Sequence, residues 1–330
     1  MERSVSVPRP LIEKLAEARR VVLAAHVNPD VDALGAMLGL ARAMPAIEVT
    51  FSAGGQSVQN RLAFMVELGE CRPAQADDIA RAEAVVVVDT ANIRRIGIEG
   101  GWDAIADKCV INIDHHITNE DFGEFNWVAG HRASTSEMID ELIRVAGWPL
   151  DPKTATLLLA GIHSDTCGFT LPTVAAETFE TAASLRRAGA NLPQIGEQLF
   201  RSQSLHEFEL IRAVYRNTRL ACDGLVAYST LSLAEIHAAG CSPADIDDQV
   251  SIPRSLSGVR MAILLSEVEL GVIRINLRGE DMTPVLPVAT SLGGGGHTYA
   301  AGVRMRASMS DALQRILAEA ATCLGSSPIL

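Results

Sequence analysis

Carboxylates and histidines stand in five short segments of this 330-residue chain, and three of these segments follow an apolar run directly. The segments are His26 with Asp30 and Asp32; Asp89; Asp114 with His115 and His116; Asp165; and His297 behind four glycines. Carboxylate oxygens combined with imidazole nitrogens suit Mn²⁺ or a similar divalent ion, whereas structural zinc would call for clustered thiolates. The pattern predicts one metal site that handles phosphate.

Apolar runs predict the strands that position the first three segments. They cover residues 21–25, 85–88 and 110–113. Strands that are buried on both faces of a parallel sheet have continuous apolar sequences, and ligands bind beyond their carboxyl ends. Helical patterns alternate with these runs at residues 11–20, 33–43 and 153–162. Ser134 and Glu137 form an S-x-x-E capping box for a further helix, with Gly147 as its stop. The first half is therefore predicted to be a doubly wound α/β domain with a mainly parallel sheet.

The second half has a different organisation. Residues 191–217 show a more polar helical periodicity, which predicts a pair of linker helices. Strand-like runs at 225–231, 259–267 and 271–277 and a closing helix at 309–324 follow. We therefore predict a catalytic domain at 1–190, a helical linker at 191–217, and a smaller mixed α/β substrate-binding domain at 218–330. The active site is expected in the cleft between the two domains.

Composition narrows the class of protein. The chain is 48% hydrophobic and 21% charged, with a net charge of −12. This charge argues against binding of long duplex nucleic acid, because phosphate contacts need clustered Lys and Arg. A short nucleotide substrate held by metal ions stays compatible. No apolar run is long enough to cross a bilayer, the amino terminus lacks a signal-peptide core, and six scattered cysteines suit a reducing compartment. We expect a cytoplasmic protein.

The ordered motifs resemble those of the DHH phosphoesterases. The matching stretches are His26 to Ala33, Asp89-Thr90, Asp114-His115-His116, Asp165-Thr166 and Gly294-Gly295-Gly296-His297. They span nearly the whole chain in the order typical of the family. The second half is similar to the DHH-associated domain of the branch that contains nano-RNases and pAp phosphatases. The resemblance implies a DHH catalytic domain followed by a substrate-binding domain.

The resemblance also implies a role for each motif residue. One Mn²⁺ would be held by His26, Asp30 and Asp89; the second would be held by Asp32, Asp89, His115 and Asp165. Mg²⁺ or Co²⁺ would be substitutes. Asp89 would be the bridging carboxylate, and a hydroxide between the ions would be the nucleophile. His116 would contact the phosphate, so that Asp89, His115 and His116 form the catalytic set. Asp114 would orient a histidine rather than bind metal.

Substrate recognition is assigned to the second domain on the same basis. Gly294, Gly295, Gly296 and His297 would bind the distal nucleotide, and Arg278, at the end of a predicted strand, would face the substrate. A flexible linker or a helix stop also explains a glycine run, and a surface position also explains Arg278. Arg94 and Arg95 follow Asp89 and would either neutralise phosphate or form a solvated pair.

Two positions depart from the family pattern or invite a different assignment. Val31 occupies a place that is commonly Gly in the family, and a β-branched residue resists positive φ. Either the loop does not need that conformation or it has shifted. His163 lies two residues before Asp165 at the end of an apolar helix. We interpret it as a core or rim histidine rather than a metal ligand.

These observations predict a metal-dependent phosphohydrolase with two domains. It would degrade very short oligoribonucleotides to mononucleotides, or remove the 3′ phosphate from 3′-phosphoadenosine 5′-phosphate (pAp). The nearest alternative is a phosphodiesterase of cyclic dinucleotides or of their linear dinucleotide products. An alternative from another class is a nucleotide-sensing protein that binds without turnover. The residues do not choose among these substrates, and a homodimer is left open.

Overall fold

The computed structural model describes residues 6–46, 48–53, 58, 62–280 and 282–326. The side chains of residues 244, 247, 248 and 297 also lie outside the description. The chain divides into two compact units between Ser202 and Gln203. The predicted domain boundaries at residues 190 and 217 stay a prediction.

A parallel sheet forms the centre of the first unit. Within the described residues its strands are β1 (Arg20–Ala24), β2 (Glu48–Ser52), β3 (Arg72–Pro73), β4 (Ala84–Val88), β5 (Cys109–Asp114) and β6 (Phe125–Val128). Their order is β3-β2-β1-β4-β5-β6, and each neighbouring pair is parallel. The strand order reverses between β1 and β4, which is where doubly wound sheets bind ligands. The predicted doubly wound α/β class is confirmed.

The strands of this sheet are apolar along their length because both faces are covered. On β1, Val21 and Leu23 belong to one hydrophobic cluster, whereas Val22 and Ala24 belong to another on the opposite face. β4 alternates in the same way, and all five of its residues are buried. Since successive side chains on a strand point to opposite faces, a continuous apolar run is the expected sequence.

Helices of the first unit cover this sheet. They are α1 (Arg9–Glu17), α2 (Val31–Ala43), α3 (Ala63–Gly69), α4 (Ala76–Arg81), α5 (Thr135–Ala146), α6 (Pro152–Asp165), α7 (Ala176–Arg187) and α8 (Leu192–Phe200). The predicted start and stop of α5 are confirmed: the Ser134 hydroxyl accepts from Glu137 N, and Gly147 ends the helix at φ 69°. α2 begins two residues earlier than predicted, and α6 extends three residues further, so that Asp165 is its last residue.

The second unit is built on a mixed sheet. Its strands are β7 (Arg219–Ala221), β8 (Val226–Leu231), β9 (Met261–Glu269), β10 (Val272–Gly279), β11 (Gly295–His297) and β12 (Ala300–Arg306). β8 and β9 are parallel and the other neighbouring pairs are antiparallel. The helices are α9 (Leu205–Asn217), α10 (Leu233–Ala238), α11 (Ser251–Arg254), α12 (Leu286–Ser291) and α13 (Met309–Leu324). The bounds of α13 match the prediction, and the mixed α/β character is confirmed.

The two helices predicted as a linker fall in different units. α8 packs against α6 in the first unit, whereas α9 packs against β8 in the second. Among the residues described, no helix combines the length and hydropathy that crossing a bilayer requires. The cytoplasmic location stays a prediction.

Candidate metal centre

Three neighbouring strands deliver the predicted donors to one edge of the sheet. His26 follows β1, Asp89 follows β4, and His115 follows β5 directly. β4 pairs with β1 on one side and with β5 on the other. Parallel strands end at the same edge, so residues far apart in sequence become neighbours there.

The first group of donors comprises His26, Asp30 and Asp89. The Nε2 atom of His26 lies 3.8 Å from Asp30 Oδ2 and 3.6 Å from Asp89 Oδ2. Its other ring nitrogen, Nδ1, lies 2.9 Å from the carbonyl oxygen of Val27. A proton on Nδ1 donated to that carbonyl leaves the Nε2 lone pair facing the carboxylates, as metal-ligating histidines require.

The second group comprises Asp32, His115 and Asp165, whose donor atoms lie within 4.8 Å of one another. His115 Nε2 is 3.4 Å from Asp165 Oδ2 and 3.6 Å from Asp89 Oδ1. Its Nδ1 lies 3.4 Å from the carbonyl oxygen of Arg132, so His115 has the same orientation as His26. Asp89 therefore faces one group with Oδ2 and the other with Oδ1.

His116 is oriented differently from the other two histidines. Its Nδ1 contacts Asp114 Oδ1 at 2.7 Å and lies 3.7 Å from Asp89 Oδ1. The hydrogen bond to Asp114 raises the pKa of His116 to about 9. Because Nδ1 is engaged with a carboxylate, Nε2 is the nitrogen left for another partner. This geometry suits the predicted roles of His116 as a phosphate contact and Asp114 as its orienting carboxylate.

Asp30 has a structural role as well as its place in the donor cluster. It is the N-cap of α2, where its Oδ1 accepts from Ala33 N at 3.0 Å. Val31 is the first residue of the helix, and the positive φ in this loop belongs to Asn28, at 56°. Val31 is therefore compatible with the loop, because no left-handed conformation is needed at that position.

The start of α5 holds two of the carboxylates, and sequence reasoning missed this. The backbone N–H groups of Thr135 and Ser136 donate to Asp32 Oδ2 and Oδ1, at 2.7 and 3.0 Å. The Thr135 hydroxyl donates to Asp89 Oδ1 at 3.0 Å. The capping box located the helix start correctly, but nothing in its sequence shows what the first turn contacts.

A buried amide network also escaped the sequence analysis. Asn119 Nδ2 donates to Asp114 Oδ2, at 2.5 Å, and to Asn112 Oδ1, at 2.9 Å. The Asn112 amide in turn donates to the carbonyl oxygens of Val87 and Thr90. Asn112 interrupts an otherwise apolar strand, which was the available signal. The network fixes the Asp114 carboxylate that contacts His116.

Burial and neighbouring charges shift the pKa values of several groups in this cluster. Burial, and then the charges of Asp89 and Asp165, raise the pKa of Asp32. Burial raises the pKa of Asp165 to about 6. Burial alone would lower the pKa of His26. The hydrogen bonds of His26 with Asp30 and Asp89 outweigh burial and raise this pKa to about 10. Burial and the neighbouring carboxylates therefore both disfavour the charged form of Asp32.

The donor set fits divalent cations. In the part of the chain that is described, no Lys or Arg lies within ion-pair distance of Asp30, Asp32, Asp89 or Asp165. Carboxylate oxygens and imidazole nitrogens are the ligands that Mn²⁺ and similar ions prefer. Asp32 and Asp89 are buried, and buried carboxylates need a compensating positive charge, which two divalent ions would supply.

Residues predicted to recognise substrate lie in the second unit. β11 pairs tightly with β12: a Cβ on Gly294 would lie 2.2 Å from Gly302 O, and one on Gly296 would lie 2.6 Å from Ala300 O. Close strand approach therefore explains these glycines, with Gly296 also at φ 143°.

Strand register places the two predicted substrate-binding positions of this unit, 278 and 297, in one row across neighbouring strands. Arg278 pairs with Ala300 on β12, and Ala300 pairs with position 297 on β11. The Arg278 side chain is half-buried, and its Nη1 donates to Leu277 O at 3.0 Å. The His297 side chain lies outside the description. Both substrate roles stay predictions.

His163 lies apart from the donor groups. Its ring contacts Phe169 and Phe200, with centroid distances of 5.7 and 5.4 Å. Burial lowers the pKa of His163, and its Nδ1 atom has no hydrogen-bond partner among the described residues. An aromatic surrounding of this kind fits the interpretation of a core or rim histidine.

Comparison with known proteins shows which family the chain is similar to. The family model described as "DHH family, N-terminal domain" matches residues 20–162. The chain is 31% identical over 302 residues to the bifunctional oligoribonuclease and PAP phosphatase NrnA of Thermus thermophilus, covering 90% of this chain and 88% of that protein. It is 27% identical over 325 residues to the cyclic-di-AMP phosphodiesterase GdpP of Geobacillus thermodenitrificans, covering 92% of this chain but 47% of that protein.

A solved structure shares the whole fold. An exopolyphosphatase-related protein from Bacteroides fragilis has a TM-score of 0.85 and 24% identity, covering 96% of this chain and 97% of that one. The class that fold and site define is an α/β enzyme with a carboxylate–histidine cluster beyond the ends of its parallel strands. This chain belongs to the DHH family of phosphoesterases, as its motifs predict.

Proposed function

We propose that this protein is a Mn²⁺-dependent phosphohydrolase that releases mononucleotides from very short RNA and removes the 3′ phosphate from pAp. The position of Asp89 carries this proposal. Its Oδ2 lies 3.6 Å from His26 Nε2 and its Oδ1 lies 3.6 Å from His115 Nε2, so it faces both donor groups. The Thermus relative, which is named as an oligoribonuclease and PAP phosphatase, supports the choice of substrates.

The donor groups define where two ions would bind. His26, Asp30 and Asp89 would hold one ion; Asp32, Asp89, His115 and Asp165 would hold the other. Bound divalent ions would lower the pKa of water and neutralise the oxygens that attack and leave phosphorus. The chain's own contribution is to fix these donors, because Thr135 holds Asp89 in place by a hydrogen bond and the start of α5 holds Asp32.

His116 would contact the reacting phosphate. Its bond to Asp114 raises the pKa of His116 to about 9, which favours the ring that carries a proton on both nitrogens. With Nδ1 bonded to Asp114, the Nε2 proton can be donated to a phosphate oxygen on which negative charge develops. Asn119, which is itself bonded to Asn112, donates to Asp114 Oδ2 and so helps to keep the imidazole in one orientation.

Recognition of the rest of the substrate is assigned to the second unit. Arg278 and position 297 share a row across β12. The glycines 294–296 would let the backbone approach a ligand closely. Contacts of these residues with the end of the substrate away from the scissile phosphate would favour substrates of a few nucleotides. The bound metal ions would supply positive charge locally, so that a protein with a negative net charge could bind a polyanionic substrate.

A second candidate is hydrolysis of cyclic dinucleotides or of their linear products. The 27% identity to GdpP favours it, although the chain spans less than half the length of that relative. The third candidate, nucleotide binding without turnover, is disfavoured by a donor set that is complete at each predicted metal position.

A side-by-side assay separates these candidates. Purified protein would be incubated with pAp, a ribodinucleotide and a cyclic dinucleotide, each with Mn²⁺ and with excess chelator. We expect product from pAp or the dinucleotide with Mn²⁺ and none with chelator. Preferential cleavage of the cyclic substrate would favour the second candidate, and tight binding without product would favour the sensor. Full activity in excess chelator would refute the metal-dependent mechanism.

Asp89→Asn provides the residue-level test. Asp89 has a φ of 49°, which Asn tolerates, so this change removes the charge and keeps the backbone. Asp121→Asn is the matched control, because Asp121 also has positive φ, at 51°, but is exposed and lies outside the donor groups. Turnover should be abolished in the first variant and retained in the second. Equal effects would mean that Asp89 does not have the bridging role.

A further inference from the structure

Arg95 lies beside His26, in a short 3₁₀ helix at Ile93–Arg95 that follows Asp89. The backbone of this turn is attached to the loop that carries His26. Val27 N donates to Arg95 O at 2.7 Å, and Gly97 N donates to Ala25 O at 2.7 Å. His26 and Ile96 form an isolated β-bridge. The position of Arg95 is therefore fixed relative to His26.

The Arg95 guanidinium reaches the ring of His26. Its Nη2 lies 3.4 Å from His26 Nδ1, which is already bonded to Val27 O at 2.9 Å. A ring nitrogen that donates its proton to a carbonyl has no lone pair for a guanidinium. Among the described residues, no carboxylate lies within 4.0 Å of Arg95, whereas Arg42, Arg72 and Arg132 each pair with two. Arg95 thus presents a cation that the protein does not neutralise.

We propose that Arg95 binds a non-bridging oxygen of the substrate phosphate, on the His26 side of the metal centre. This inference rests on the proposed function and adds a residue to it. A planar guanidinium can donate two parallel N–H bonds to one phosphate, which fixes its orientation as well as its charge. Arg94 serves as an internal comparison. It is exposed, as Arg95 is, and the structure gives no contact between its side chain and the donor groups.

The positive charge of Arg95 distinguishes a phosphate ligand from a metal ligand by experiment. A metal ligand and a phosphate ligand should respond in opposite ways when they are removed. Removing a cation beside the site cannot weaken the binding of a divalent ion through charge, because like charges repel. The same change should weaken phosphate binding. A residue that merely supported the His26 loop would instead lower both affinities together.

The test compares Arg95→Ala, Arg95→Lys and Arg94→Ala in the full chain. For Arg95→Ala we expect KM for pAp and for a 5′-phosphorylated dinucleotide to rise about tenfold or more, as loss of a charged hydrogen bond predicts. Arg95→Lys should raise KM less than Arg95→Ala does, because Lys keeps the positive charge but lacks the two parallel N–H donors of the guanidinium. Arg94→Ala should change KM less than twofold. Calorimetry with inorganic phosphate and AMP in the presence of Mn²⁺ gives the matching dissociation constants.

Metal content and thermal stability complete the design. Mn²⁺ bound at limiting metal should be unchanged or higher in Arg95→Ala, with an unchanged unfolding temperature. Unaltered KM and phosphate affinity, equal effects of the Arg94 and Arg95 variants, or loss of Mn²⁺ would each overturn the assignment. If the wild-type protein turns over none of the nucleotides, the proposed function fails. The phosphate titration would still test Arg95.

Discussion

Gly161 of α6 lies where three helices meet behind the metal centre. A Cβ at this position would lie 2.0 Å from the Oγ atom of Ser136 on α5 and 2.7 Å from Oδ1 of Asp32 on α2. It would also lie 2.8 Å from the Cβ atom of Ser136. Ser136 cannot retreat easily, since its backbone N–H is bonded to Asp32 at 3.0 Å. The change Gly161→Ala therefore forces the helices apart or displaces the Asp32 carboxylate.

The size of the effect follows from two opposing contributions. Ala is about 1 kcal/mol better than Gly inside a helix. Overpacking a core typically costs about 1–3 kcal/mol, and contacts this short place the cost at the upper end. We expect a net loss of about 2 kcal/mol, or a decrease in Tm of about 4–8 °C for a unit of this size. If Asp32 moves by about 1 Å, kcat/KM should fall by about 100-fold.

Thermal unfolding by circular dichroism, kcat/KM on pAp and bound Mn²⁺ would be measured together. Gly196→Ala is the matched control, because the nearest atom to its added Cβ is Arg201 Nη2, at an ordinary 3.6 Å. This variant lies inside α8 and should be as stable as the wild type or up to about 1 kcal/mol more stable. A Gly161→Ala protein with unchanged Tm and kcat/KM would refute the argument that close packing holds Asp32 in place.

Substrate length offers an independent check, because rates on RNA of about two to five nucleotides should exceed those on an oligonucleotide of about 24; a preference for the longer RNA would contradict the length limit. Replacing Arg278 or His297 with Ala should raise KM about tenfold or more and leave metal content unchanged, so that loss of metal would contradict the division of roles. Thr135→Val removes the hydroxyl that donates to Asp89 and should lower kcat/KM by about tenfold, measured at saturating Mn²⁺; an unchanged value would show that Asp89 is fixed without it. Acid unfolding tests Asp151. Burial alone would raise the pKa of Asp151, but hydrogen bonds from Arg42 and Thr154 N outweigh burial and lower it to about 2. The stability that Asp151 contributes is therefore complete above its unfolded pKa near 4 and is lost as pH falls towards 2. Asp151→Asn, which keeps the cap of α6, should flatten this part of the acid-unfolding curve, and an identical curve would contradict the assignment.

The sequence predicts best where burial is continuous or a cap is explicit. β1, β4 and β5 are detectable because both of their faces are covered, and Ser134 marks the start of α5 through its own turn. β2, β3 and β6 are not predicted, because they are short or carry polar or exposed residues, such as Arg72 in β3. Their place in the sheet depends on pairing with distant strands, which local periodicity does not show.

The same distinction holds within the site. Asp89 and Asp165 are predicted because they stand in ordered motifs at the ends of predicted elements. Thr135 and Asn119 are not, because their importance depends on contacts made by folding. Thr135 bonds to Asp32 across 103 positions of sequence, and its hydroxyl reaches Asp89 across 46. No spacing rule connects such positions.

The positive φ of Asp89 limits how this site can change during evolution. At 49°, the backbone of this residue favours Gly, Asn and Asp over longer or branched side chains. Glu keeps the charge but adds a methylene and fits the backbone less well, so it is not a conservative replacement here. In a gene copy released from selection for catalysis, replacement of Asp89 by Asn or Gly removes the charge with the least backbone strain. Either residue at this position in a homologue would therefore be the expected mark of a descendant that kept the fold after catalysis was lost.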